Sequence, residues 1–278
     1  MPYIFKYIPT GETIMYTWDS AMHTRLDIIL KAKATESYFI DVVNRIMKEI
    51  EHLEKIGNCF DEKSELSTIN RMNAHEAMSI SSELYDILQS CIDYNHRTEG
   101  LFDITVDTPS YTPHTVRSIH LLARPIITLE SSPIKINLSG FLKGYALDKI
   151  KNILKSHHFH NALINLGNSS IMAMGNLKKN EGWNLQLQKT NLQQEHIILN
   201  NECMTTSGNH FLGRRDIYSP ISQKYLTGKY EVSVITESGA LGEVMSTCIC
   251  LSNELQKKQF IRNFNIRKIF EKGNRTFQ

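Results

Sequence analysis

Residues Asn137–Asp148, NLSGFLKGYALD, combine two glycines, a lysine and a change of periodicity in one short stretch. An extended run (Ile134, Ile136, Leu138) reaches Ser139–Gly140, and a helical pattern begins just beyond. Gly140 and Gly144 allow backbone to come close to a neighbour or a ligand. Lys143 beside the positive end of a new helix is suited to holding phosphates. Glycine at a strand-to-helix turn is also ordinary structure, so the stretch gains meaning only with others. Glu243 and Thr247 lie four residues apart on a predicted helix, which places both oxygens on one face. Their plain alternative is a solvated glutamate and a helix-interior threonine. Phe102 and Asp103 follow a tight turn at Gly100. The ring can stack, and the carboxylate can accept from a ligand or cap Thr105 or Val106 in its own loop.

The elements that must position these groups are legible in outline. Residues 22–32 alternate loosely and read as a strand. Phe39, Val43, Ile46, Met47, Ile50, Leu53 and Ile56 recur at three- and four-residue steps, which predicts an amphipathic helix over 36–56 stopped by Gly57. Cys59–Asn70 reads as a loop or short helix, with Ser64 as a cap and Glu65 in the first turn. A second helix runs from about 81 to 97. Residues 109–135 hold four prolines and read as an irregular connection with short strands around 116–122 and 126–129. They are the place for a boundary or flap within an otherwise single domain over 1–278. A central helix follows at 142–156, with strand-like runs at 162–166, 170–174, 183–188, 196–200 and 230–236. Helices at 239–252 and 253–263 precede a closing hairpin that turns at Lys272–Gly273. Helices mixed with antiparallel-looking strands give an α+β class.

Composition bounds the rest. The 278 residues are 41% hydrophobic and 22% charged, ordinary for a globular chain with a sizeable core. A net charge of +2 is too small to argue for nucleic acid or an anionic membrane as partner. Five scattered cysteines without a CxxC pair read as reduced thiols, and Cys248-x-Cys250 as core thiols in an apolar helix. The histidines show neither HxxxH nor HExxH spacing; His157, His158 and His160 suit a helix C-terminus. No apolar run is long enough to span a membrane. The N-terminus lacks a basic region followed by an apolar one, and no lipobox-like cysteine follows. The expected location is cytoplasmic.

Taken in order, seven segments resemble the ApbE-type flavin transferases. Ala21-Met22-His23-Thr24 looks like the family's Met-Gly-Thr opening. CFDEKSELSTIN (59–70) is similar to its S-x-[FY]-D-x-x-S-E-[LI]-S-x-[LF]-N segment. EGLFDITV (99–106) looks like D-G-A-F-D-x-T-V, and NLSGFLKGYALD like D-L-G-G-I-A-K-G-Y-A-x-D. NALINLGNSSIMAMG (161–175), TTSGNH (205–210) and GALGEVMSTCICLS (239–252) match the remaining motifs. The resemblance implies an ApbE-like architecture of mixed and antiparallel sheets with flanking helices. It implies Mg²⁺-dependent transfer of FMN from FAD onto a threonine of an acceptor protein. Met22, Phe60, Leu101, Phe102, Asp103, Tyr145 and Ile217 are the implied flavin-side contacts. The Leu142 carbonyl, Glu243 and Thr247 are the implied Mg²⁺ ligands.

Departures from the pattern gather near the chemistry. The family's H-x-x-D-P-x-T-G segment is best matched by residues 216–223, where only Pro220 survives and a serine stands for the threonine. Asp216 takes the place of the histidine and is the candidate base for the acceptor hydroxyl. Gln223 and Asn168 replace glycines, Asn137 an aspartate, and Glu243 an aspartate. A longer Glu243 requires the ion to shift or the helix to sit back. These changes support a second reading, an FAD-binding protein or FAD pyrophosphatase on the same fold.

Overall fold

The computed structural model describes residues 3–9, 12–123, 125–177, 182–188, 194–209 and 215–277. In chain order the first elements are β1 (Tyr3–Ile8), β2 (Thr13–Ala21), β3 (Thr24–Lys31), α1 (Glu36–Gly57), α2 (Glu65–Ile69), β4 (Ala77–Ser79) and α3 (Ser82–Arg97). Next come β5 (Ile119–Leu121), β6 (Ile126–Leu129), α4 (Leu142–Ser156), β7 (Asn161–Leu166), β8 (Ser170–Met174), β9 (Trp183–Gln188), β10 (Gln194–Leu199) and β11 (Glu202–Asn209). The chain closes with β12 (Tyr218–Ser219), β13 (Lys224–Thr227), β14 (Tyr230–Thr236), α5 (Gly239–Leu251), α6 (Glu254–Asn263), β15 (Lys268–Gly273) and β16 (Thr276–Phe277).

Among the described residues, eight strands form one sheet in the order β1-β2-β3-β7-β8-β11-β14-β15, antiparallel at every pairing. Alternation sorts its faces: along β7, Ala162, Ile164 and Leu166 are buried while the residues between are less so. That face carries α1, α4 and α5 and holds the main core. The β9–β10 hairpin covers part of the other face through Trp183, Ile197 and Leu199 against Ala173, Met204 and Ile235. Small sheets β4-β6-β5 and β12-β13-β16 flank the whole.

The helices lie where the apolar spacing predicts them, because each stripe finds a sheet or helix to cover. In α1, Phe39, Val43, Ile46, Ile50, Leu53 and Ile56 are buried, while Met47 is half-buried and accepts from Tyr16. Ser64 caps α2 and Ser81 caps α3. Glu65 takes both the Ser81 hydroxyl, at 2.7 Å, and the Ser81 N–H, tying the start of α3 to α2. Segment 109–135 contributes Ile119, Ile127, Leu129 and Ile134 to the main core.

Three expectations change. Met22 and His23 are the two-residue turn of the β2–β3 hairpin rather than the start of a strand, since Ala21 pairs with Thr24. The closing segment is not a hairpin. β15 extends the large sheet beside β14, whereas Arg275 reaches the carbonyls of Cys250 and Ser252 and brings β16 onto β13. Residues 202–209, rich in Thr and Ser, form an interior strand between β8 and β14, where α5 packs on it and Thr205 is buried.

The decisive packing contact is between α4 and α5. A Cβ added to Gly144 would lie 2.1 Å from the Gly239 carbonyl oxygen, and one on Gly239 would lie 2.4 Å from the Gly144 oxygen. Asp148 locks the crossing. Its carboxylate accepts from the Ser238 hydroxyl (2.7 Å) and from the backbone N–H groups of Gly239 (2.8 Å) and Ala240 (2.9 Å). One helix thus supplies the N-terminal cap of the other. Gly239→Ala should force the helices apart and lower stability by about 2 kcal/mol, read as a lower urea midpoint at unchanged m-value.

Candidate active site

Two clefts open where the 134–142 segment meets its neighbours, and Ser139 lines both. Asn70 holds that segment in place: its amide donates to the Ile136 carbonyl (2.9 Å) and accepts the Ile136 N–H (2.8 Å). Asn137 then accepts the Ser139 N–H (2.9 Å) and donates to Asp107 (2.7 Å). An aspartate at 137 would face the Asp107 carboxylate across that contact, so asparagine suits this chain. The segment delivers the start of α4, which has no side-chain cap, to the junction of the clefts. The Leu138 carbonyl takes the Leu142 N–H (2.9 Å), so the positive potential at this helix start comes from the Lys143 N–H onward.

The first cleft, of about 290 Å³, is lined by Met22, His23, Glu54, Asn58, Cys59, Phe60, Leu142 and Lys143, among others. Phe60 is 71% exposed at its edge, free to present its face to a planar ligand. Lys143 reaches Ser169 at 2.6 Å. Burial pushes the Glu54 carboxyl above its usual range, against the opposing pull of His23 and the Met22 N–H.

The second cleft, of about 250 Å³, carries Leu101, Phe102, Asp103, Asp107, Asp216, Ile217 and Thr247 with Tyr218 and Tyr225. Phe102 also packs against Tyr94 and Phe141 and belongs to the core. Asp103 is saturated by its own loop: Oδ1 accepts from the Thr105 N–H (2.7 Å) and hydroxyl (2.6 Å), and Oδ2 from Tyr111 (3.0 Å). Burial pushes its carboxyl up, while Thr105 and Tyr111 hold it down. Asp103 therefore shapes the wall of the cleft. Asp216 is exposed and its N–H donates to Asn209.

Glu243 sits between the helices, only 4% exposed, and accepts from Ser170 at 2.5 Å. Burial raises its pKa, opposed by the Lys143 ammonium and the Ser170 hydroxyl. Thr247, one turn along α5, contacts Ser207 at 3.2 Å. Glu243 is accommodated with α5 close against β11. A Cβ on Gly242 would lie 2.3 Å from the Thr205 hydroxyl, so α5 is already pressed onto β11. The extra methylene takes the space beside Gly144, where a Cβ would lie 2.6 Å from Glu243 Cγ. These groups fit a hard cation. Glu243, Thr247 and the Leu142 carbonyl are all oxygen donors. The buried carboxylate lacks full charge compensation, and the neighbouring Thr205 hydroxyl is buried without a partner among the described residues. Also among the described residues, no group of three His, Cys, Asp or Glu side chains is arranged to hold a metal ion by itself. An ion here would complete its shell with water and phosphate, as magnesium does.

The ApbE family model matches residues 22–270. The chain belongs to the ApbE family. It is 26% identical over 263 residues to an FAD:protein FMN transferase of Chlamydia muridarum, covering 81% of each chain. It is 22% identical over 218 residues to one of Buchnera aphidicola, covering 68% of this chain and 61% of that one. Its fold is similar to the flavin transferase ApbE of Vibrio cholerae (TM-score 0.80, 17% identity, 96% of this chain and 97% of that chain). It is likewise similar to the Pseudomonas stutzeri flavinyl transferase ApbE (TM-score 0.78, 14% identity, 95% and 94%).

Within this ApbE fold, the expected site residues divide. Met22, Phe60 and Leu142 line the first cleft; Leu101, Phe102, Asp103, Asp216, Ile217 and Thr247 line the second. Glu243 lines neither of them, and nor does Tyr145. Tyr145 stacks on Phe141, and its hydroxyl donates to Glu83 (3.2 Å) in a cluster with Lys149 and His52. The helical turn that starts α4 rotates it toward α3, a direction that the motif alone does not reveal. Asn168 and Gln223 keep the left-handed backbone of the glycines they replace, at φ +58° and +52°. The sequence reading missed His23, Glu54, Asn58, Ser170, Thr205 and Tyr111. The positive backbone angles at Met22–His23 had one sequence signal, the glycine that the resembled Met-Gly-Thr motif carries where this chain has His23.

The Glu83 cluster gives a test that separates Tyr145 from the site. Burial raises the Glu83 pKa, but Lys149 and His52 together outweigh it and hold the group low. A carboxyl held low in the fold stabilises above its unfolded pKa of about 4.3 and loses that contribution as pH falls through the folded value. Glu83→Gln should lower stability by about 1 kcal/mol at pH 7 and leave it unchanged near pH ~2. Urea midpoints at the two pH values check this, and ligand affinity should not change.

Proposed function

We propose that this protein transfers FMN from FAD to a threonine hydroxyl of an acceptor protein, in the presence of Mg²⁺. The observation that carries the reading is the uncapped start of α4, with Lys143 beside it, at the junction of two clefts. A pyrophosphate suits that junction, and the two clefts suit the two ends of a dinucleotide. The relatives named FAD:protein FMN transferase support the substrate and the protein acceptor. Leu142, Glu243 and Thr247 would hold Mg²⁺, which supplies charge neutralisation at the pyrophosphate. Among the described residues no helix is long and apolar enough to cross a membrane.

The chain's own residues then bind and orient. Backbone N–H groups of α4 and the Lys143 ammonium stabilise negative charge on the phosphates. The acceptor hydroxyl oxygen bonds to the FMN phosphorus while the P–O bond to AMP breaks. AMP departs with the bridging oxygen, and the hydroxyl proton passes to Asp216, which is exposed in the second cleft. Asp107 and Tyr218 line the same cleft and limit the acceptor's approach.

Incubation with FAD, Mg²⁺ and an acceptor fragment should give a covalently fluorescent acceptor and an equal amount of AMP. Asp216→Asn should slow transfer about 100-fold with FAD affinity retained. FMN released without acceptor would instead establish the pyrophosphatase, and bound FAD without product the binding protein. Glu243→Ala should abolish the Mg²⁺-dependence of FAD affinity, measured by titration calorimetry on the metal-stripped protein.

A further inference from the structure

The β2–β3 hairpin turns through Met22 and His23, with φ of +48° and +58°. Two-residue turns of this hand are built for Asn and Gly, and histidine adopts such an angle more readily than most side chains but less readily than glycine. The surroundings hold it there. The Met22 N–H helps keep the Glu54 carboxyl down, and Asn58 grips His23 at 3.0 Å. Glycine at 23 would suit the backbone with no packing cost visible at this exposed turn. Histidine is there instead, on the lip of the first cleft.

The contact with Asn58 also assigns the imidazole's proton. Asn58 Oδ1 accepts the Phe60 N–H at 3.0 Å, so its amide nitrogen is the group that faces His23 Nε2. Nε2 therefore accepts, and the ring N–H is on Nδ1. The same Asn58 thus sets the backbone of Phe60, the exposed aromatic of the cleft, and the tautomer of His23. A stacking surface and a single directed donor are held on one frame.

We propose that His23 is a specificity-determining residue, whose Nδ1–H donates to a ring nitrogen or carbonyl of the planar heteroaromatic group that stacks in the first cleft. This rests on the FAD reading above. FAD offers two such groups, the flavin and the adenine, and both carry acceptors on their edges. The turn and the Asn58 contact then hold the donor at the lip of the cleft.

The test uses calorimetric titration of the whole chain with FAD, FMN and ADP, for wild type, His23→Gly and His23→Asn. Glycine fits the backbone and removes the donor. Asparagine tolerates the backbone and keeps a donor near the position of Nδ1. His23→Gly should melt at the same temperature as wild type or higher, yet bind FAD about 5- to 10-fold more weakly. His23→Asn should bind within about 3-fold of wild type. A loss shared with ADP and absent for FMN supports the proposal with adenine in the cleft; the reverse supports it with the flavin there. FAD affinity unchanged in His23→Gly overturns the role of His23 and leaves the FAD reading standing. Equal losses in both variants overturn the donor role, since they would come from the freed Asn58 amide. No FAD uptake by the wild type overturns both readings.

Discussion

Helices α4 and α5 meet backbone to backbone at Gly144 and Gly239, and Asp148 of one helix caps the other. That contact sets how far Glu243 and Thr247 stand from Lys143 and the start of α4. It also presses Gly242 onto Thr205, which brings the hydroxyls of β8 and β11 under the same helix. A side chain at any of these glycines would move α5, and with it every oxygen that a cation or phosphate could meet. Close packing transmits such a shift rather than absorbing it.

Much of the family-like sequence turns out to be framework for that junction. In the 59–70 segment, Ser64 caps a helix, Glu65 binds Ser81, and Asn70 holds both backbone groups of Ile136. Asp103 is consumed by Thr105 and Tyr111. Only Phe60 of the long segment is left mostly exposed beside a cleft. The residues most specific in pattern are thus largely those that position others. Their side-chain hydrogen bonds tie together segments far apart in the chain, a geometric demand stricter than filling a core.

The departures also become intelligible as local geometry. Asn168 tolerates the left-handed turn between β7 and β8, and its side chain bonds Asn165 at 2.8 Å. Asn137 pairs with Asp107, where a second carboxylate would repel. Glu243 keeps its extra methylene in the space that Gly144 leaves open. Asp216, at the position matched to the family's histidine, lines the second cleft.

Helices α1, α3, α4, α5 and α6 were legible in the sequence because apolar residues at helical spacing, and capping side chains such as Thr35, Ser81 and Asn253 where they occur, are local signals. The Asn137–Asp148 stretch and the Glu243–Thr247 pair were legible for the same reason, since four-residue spacing is read within one helix. The strand character of 202–209 was not, because its run of Thr and Ser shows no apolar alternation and finds its place only between β8 and β14. The direction of Tyr145 was set by its bond to Glu83 on another helix. The division of the expected contacts between two clefts, and the capture of His23 by Asn58, likewise depend on segments that meet only in the fold. Local periodicity is written along the chain, whereas which side chains face one another is fixed by how helices cross and strands pair.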